Sequence, residues 1–127
     1  MQWYTWGMKY VDADSGEWQH KKDYSKKFIL DQDAFGNDGH LLQVVTIPPQ
    51  TKQRVHWHHQ QTEVFYILEG EAIIYINDQE YPSKPGDAFI CSPGDKHNLW
   101  NQSDEPFSLL VFKIDLPQDD DTEWVEE

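Results

Sequence analysis

From residue 26 onward the chain is a series of short apolar runs separated by turn-forming residues. Runs rich in β-branched and aromatic residues predict strands over Lys26–Leu30, Leu41–Ile47, Arg54–His58, Glu63–Leu68, Glu71–Asn77, Asp87–Cys91, His97–Asn101 and Phe107–Ile114. The breaks are Pro48-Pro49, Glu69-Gly70, Asn77-Asp78, Pro85-Gly86, Ser92-Pro93-Gly94 and Ser103–Pro106. Proline has no N–H for a ladder, so Pro48-Pro49 must end the strand before it. Gly70, Gly86 and Gly94 fall where turns need the positive φ that other residues resist. Strands recurring roughly every 8–12 residues predict an all-β sandwich or barrel. No window carries helical periodicity, and there are no internal repeats.

Several strands are apolar on both faces. Val64, Tyr66 and Leu68 alternate with Phe65 and Ile67, and Ile73 and Tyr75 with Ile74 and Ile76. One face fills the interior; the other needs cover from a second sheet, from the N-terminal segment or from another subunit. The aromatics Trp3, Tyr4, Trp6, Tyr10, Trp18, Tyr24, Phe28 and Phe35 crowd the start of the chain. They are expected to pack on the outside of the barrel rather than to form a lid. Asp12 to Lys22 is polar and reads as loop, with His20, like His40, in solvent. Residues 1–117 are expected to form one domain with its motif core at 50–101. Residues 118–127 are expected to be a frayed acidic tail from which Trp124-Val125 can still dock.

Composition narrows the function classes. A chain of 127 residues is one domain, and a formal charge of −13 argues against nucleic acid and anionic membrane surfaces as partners. No segment approaches the roughly 20 apolar residues of a membrane span. No basic stretch followed by a long apolar run opens the sequence, so a cytoplasmic protein is expected. Cys91 is the only cysteine, which rules out an intrachain disulfide; it reads as a small buried filler.

The chemistry concentrates in His56-Trp57-His58-His59-Gln60-Gln61-Thr62-Glu63. On a strand, His56 and His58 point the same way, about 6.6 Å apart, while Trp57 and His59 face the other side. Two imidazoles so placed can converge on one ion. Glu63 stands at an odd offset, and a turn over His59–Thr62 can bring it back to the same spot from the next strand. His97 follows Ser92-Pro93-Gly94-Asp95, a type II turn pattern, and supplies a fourth donor. His56, His58, Glu63 and His97 form a mixed nitrogen and oxygen set suited to iron, manganese, nickel, copper or zinc. His59 is the alternative ligand but has the wrong parity. Arg54, the only arginine, could clamp a carboxylate, although nothing in the sequence places it near the histidines.

This spacing resembles the cupin family. His56, His58, Glu63 and Gly70 match its first motif, and Gly86, Gly94, His97 and Asn101 match the second in register. Two positions depart: Gln50 stands where the first motif opens with glycine, and Ser92 where the second has proline, with Pro93 one place later. The resemblance implies a double-stranded β-helix, a jelly-roll barrel, with one divalent transition metal per chain near its mouth. It also implies a small-molecule ligand or substrate and a homodimer. Asn101 would serve as a structural hydrogen-bonding residue. A metal-dependent enzyme of dioxygenase, decarboxylase, isomerase or lyase type is expected, oxygenase chemistry foremost. The alternative is a non-catalytic module that binds a metal or small ligand. The expected cavity wall is Phe65, Ile67, Ile74, Ile76 and Phe89 or their neighbours on the other face.

Overall fold

A computed structural model describes residues 7–125 of the chain. Trp3, Tyr4 and Trp6 lie outside the described residues. In chain order the strands are β1 (Gln19–His20), β2 (Ser25–Leu30), β3 (Leu41–Ile47), β4 (Thr51–Lys52), β5 (His56–His58) and β6 (Thr62–Glu69). They continue as β7 (Ala72–Ile76), β8 (Gln79–Ser83), β9 (Ala88–Cys91), β10 (His97–Asn101), β11 (Phe107–Ile114) and β12 (Thr122–Trp124). One 3₁₀ turn, Gln32–Ala34, starts on the Asp31 carboxylate, which accepts from the Asp33 amide.

The strands make two antiparallel sheets. The first has the order β1-β2-β3-β11-β6-β9 and the second β12-β5-β10-β7-β8, with β4 beside β10. Inward side chains of both sheets meet in one core; Ile47, Ile67, Ile74, Phe107 and Leu109 are fully enclosed there. The alternation is clearest in β3, where Leu41, Gln43, Val45 and Ile47 are buried and the residues between them are not. This is the jelly-roll barrel that the strand pattern and the motifs imply.

Most predicted strands appear within a residue or two of their expected limits. Four short ones do not follow from apolar runs. β8 is a polar edge strand carrying Pro82, which a ladder tolerates only at its rim. It forms because Asn77 and Asp78 adopt φ of 50° and 67°, the two left-handed positions of a two-residue hairpin joining Ile76 to Gln79. β1 lies inside the stretch read as loop, and β4 precedes the expected start of the His56 strand. β12 arises from the acidic end, pairing Thr122 with His58 and Trp124 with His56, so that segment is not frayed throughout.

Two turns explain the motif positions around the site. At Gly70, φ is 84° and an added Cβ would stand 2.5 Å from the Pro106 carbonyl oxygen, so no side chain fits. Gln50 takes a φ of 55° where the family pattern has glycine. Its side chain offsets that strain: Nε2 donates toward the Gln102 and Ser103 carbonyls and the Asp104 carboxylate at 2.8, 3.1 and 3.1 Å.

Candidate metal centre

β5 and β10 run side by side with His56 opposite His97, and β6 brings Glu63 in from the other sheet. One ligand atom from each of His56, His58, Glu63 and His97 lies within 4.8 Å of the others. Glu63 Oε1 is 2.5 Å from His58 Nε2 and 3.2 Å from His97 Nε2. His59 does not join them; it faces outward against Glu123 at 3.0 Å.

The opposite nitrogen of each imidazole is already engaged. His56 Nδ1 lies 3.2 Å from the Arg54 carbonyl, and His97 Nδ1 lies 2.9 Å from the Asp95 carbonyl. A carbonyl only accepts, so both rings carry a proton on Nδ1 and leave Nε2 as the nitrogen free to serve as a ligand atom. His58 Nδ1 is 3.0 Å from the Thr122 hydroxyl and 3.5 Å from the Asp121 carboxylate. Asp121 is held in turn by the amides of Gln60 and Gln61 and by the Gln61 side chain, at 2.8, 3.0 and 2.6 Å. Such outer partners fix tautomer and ring orientation in metal sites. The loop before His97 is equally fixed, because the Gly94 amide donates to the His58 carbonyl at 2.8 Å and Asn77 bridges Asp95 and Lys96.

Burial and mutual charge set the titrations of the metal-free cluster. Burial and the His97 charge lower His56 to about 4, against the pull of Glu63. Burial alone would raise the Glu63 carboxyl, but hydrogen bonds from His58 and His97 outweigh it and hold the group well below its ordinary range. Burial would also depress His97, yet the Glu63 bond and charge leave it raised. A buried carboxylate among three imidazoles, two of them sharing one of its oxygens, is a donor set that suits a divalent metal.

The cluster opens on a cavity of about 110 Å³, below the ~300–1,000 Å³ of pockets for drug-sized ligands. Its apolar wall is Phe65 with Val45, Leu99, Leu109 and Val111. Of the wall expected from the sequence only Phe65 remains: Ile67 and Ile74 lie in the core, where Ile76 and Phe89 pack against them. Tyr24 also lines the cavity, so the N-terminal aromatics do not all pack outside. Trp18 and Tyr10 are exposed. Arg54, which no motif places, reaches the rim, where its guanidinium lies 4.7 Å from the Trp124 ring; that ring is 4.9 Å from His56. Lys26, Gln43, Lys113, Thr122 and Trp124 complete the lining without having been singled out in the sequence. Gln43 and Lys113 did carry a signal: each is polar at an inward position of an otherwise apolar strand.

The other singled-out residues have structural places. Asn101 is fully buried and ties the carbonyls of Ile47, Pro48 and Glu105 to the Ser103 amide and hydroxyl. Cys91 is buried opposite Glu63, and burial with that nearby charge pushes its thiol up to about 12. His40 is not solvated; its ring packs against Phe35 and Phe112 at centroid distances of 5.4 and 6.2 Å. His20 is exposed and pairs with the Ser25 hydroxyl at 2.8 Å. Among the described residues no helix is long and apolar enough to cross a membrane.

The chain is similar to known proteins in sequence and in fold. The chain is 28% identical to an oxalate-binding protein of Thermotoga maritima over 86 residues, 68% of this chain and 71% of that one. It superposes with a TM-score of 0.76 on the crystal structure of a predicted oxalate decarboxylase from Thermotoga maritima, at 24% identity over 84% of this chain and 99% of that one. A polyketide cyclase from Streptomyces resistomycificus gives a TM-score of 0.77 at 20% identity, over 95% of this chain and 89% of that one. Residues 43–113, more than half of the chain, match the family profile described as cupin domain, and the chain therefore belongs to the cupin family.

Proposed function

We propose that the chain is a metal-dependent enzyme acting on a small, oxygen-rich organic molecule, with His56, His58, Glu63 and His97 holding one divalent transition metal. The observation that carries this reading is the buried carboxylate–trihistidine cluster at the wall of a closed-in cavity. A bound metal there supplies Lewis-acid polarisation of an oxygen donor and, if it is iron, access to dioxygen. The protein's own contribution is positional. Nδ1 contacts hold each imidazole so that Nε2 is left to serve as the ligand atom, Glu63 lowers the net charge of the centre, and the five apolar wall residues keep bulk water away.

Oxygenase chemistry is the first reaction class to test. Protein loaded separately with Fe(II), Mn(II), Ni(II) and Zn(II) is screened against small carboxylates, enols and catechols, with and without oxygen. Oxygen uptake or product formation with one metal, lost in His97→Ala, supports the enzyme. Ligand binding without turnover under every metal hands the case to a binding module. The specific support for that second reading is the relative named as an oxalate-binding protein.

A homodimer in the cytoplasm belongs to the same proposal. Tyr66, Leu68 and Ile90 form an exposed apolar face on β6 and β9, and a twofold pair would cover it. Light scattering at micromolar concentration is expected to give twice the chain mass, falling to one chain mass in Ile90→Asp.

A further inference from the structure

The three histidines of the cluster stand on the second sheet, and Glu63 joins them from β6 of the first. The inner face of the first sheet, which faces those histidines, also carries two lysines outside the four-residue set, of which Lys113 acts on Glu63 through its charge. Lys26 on β2 is paired in register with Val45, Gln43 on β3 with Val111, and Lys113 on β11 with Glu63. All three residues line the cavity.

Each of them is short of a partner. Among the described residues, neither Lys26 nor Lys113 has a carboxylate within ion-pair distance; every such pair involves a histidine. The described contact of the Lys26 ammonium is with the Phe28 ring, 5.2 Å away. Gln43 is 95% buried, and its Oε1 is sealed from solvent with no hydrogen-bond donor. A buried unpaired acceptor is costly unless something fills it. Asp23 also lines the cavity, but its Oδ2 already accepts from the Arg54 amide at 3.3 Å. Lys26 is lowered by burial and by the Lys113 and Lys21 charges, with Asp120 pulling the other way. This concentration of cations stands out in a chain whose formal charge is −13.

We propose that this wall is an anion-binding end, and that the ligand is a short hydroxy-dicarboxylic acid. One carboxylate lies at His56, His58, Glu63 and His97, the second lies between Lys26 and Lys113, and the hydroxyl donates to Gln43 Oε1. Val45, Phe65 and Val111 flank the carbon chain between the two ends. The inference rests on the reading that the four-residue cluster holds a metal, and it adds the length and charge of what binds there.

The test is calorimetric titration of the manganese-loaded protein with malate, succinate and 2-hydroxybutyrate, with metal content measured on every sample. Malate and 2-hydroxybutyrate share a chain length and an α-hydroxy acid, and differ by the second carboxylate. Malate is expected to bind about tenfold or more tightly than 2-hydroxybutyrate, the scale of a charge-assisted hydrogen bond. Lys26→Met removes that advantage while metal content stays at one per chain. Gln43→Met brings malate down to the succinate level. Equal affinity for malate and 2-hydroxybutyrate in the unaltered protein overturns the proposal, as does a malate advantage that survives Lys26→Met. If the chain takes up no metal, the reading of the cluster fails by itself. The same comparison in metal-free protein then decides the anion-binding end: a malate preference abolished by Lys26→Met keeps it, and no preference removes it.

Discussion

The two walls of the cavity are built on opposite principles. On the second sheet every histidine of the cluster has its outer nitrogen tied to a carbonyl, a hydroxyl or a carboxylate. On the first sheet Gln43 Oε1 has no partner and, among the described residues, Lys26 and Lys113 have no ion pair. A tied wall holds one geometry before anything binds. An open wall has its polar capacity in reserve for the ligand. Preorganisation is therefore concentrated where a metal would sit, and recognition where the rest of a ligand would reach.

The largest effect that could break this contrast comes from the tied wall itself. His58→Ala and His97→Ala each are expected to lower metal affinity by more than about 100-fold, beyond the range of outer-partner substitutions. Competition with a chelating dye measures this. Glu63→Gln is expected to cost less, because an amide oxygen still coordinates weakly. One step out, Thr122→Val and Asp121→Asn free the His58 ring, and each should cost about 10–100-fold in metal affinity. If neither changes the affinity, the tie at His58 Nδ1 is incidental and the two walls differ less than their geometry suggests.

The next effect is on stability of the metal-free protein. His56 is lowered to about 4 from an ordinary 6.5, so the folded state resists its protonation. Stability from this group is intact above pH 6.5 and is lost as pH falls toward 4, by about 3 kcal/mol over the window. Glu63 acts in the same direction at lower pH: its depressed carboxyl stabilises the fold above its unfolded value of 4.5 and loses that contribution as pH falls. His97 acts oppositely. Its raised value stabilises the protein below pH 6.5 and the effect is lost as pH rises through the folded value. Urea midpoints from pH 7 to 4 are expected to fall less steeply in His56→Asn than in the unaltered protein. The smallest effect is the control: His59→Ala, outward and half-exposed, should change metal affinity negligibly and stability by less than about 0.5 kcal/mol.

Much of this was legible in the sequence, for a definite reason. Period-two alternation and turn residues carry strand identity, so β3, β6, β7, β10 and β11 could be read from local pattern alone. The convergence of His56, His58, Glu63 and His97 was legible from parity, one turn and two linked spacings. β8 and β12 were not, because edge strands can be polar and their pairing depends on partners distant in sequence. The same limit hid Thr122 and Asp121, which reach His58 across more than 60 residues of chain. Lys26 was hidden because β2 mixes apolar and polar residues on both faces, leaving its inward side unmarked, and Tyr24 because it precedes that strand. Gln43 and Lys113 could have been read, since a lone polar residue at a core position asks for a partner.

Cys91 adds a consequence for how the protein can be watched. Oxidation and alkylation of a cysteine proceed through the thiolate, and a thiol held near 12 and shut inside the core scarcely forms one at neutral pH. Unfolding restores an ordinary, reactive sulfur. With a single cysteine in the chain, the labelling rate by a thiol reagent becomes a stopwatch for opening of β6 and β9, the two strands that hold Glu63 against Cys91.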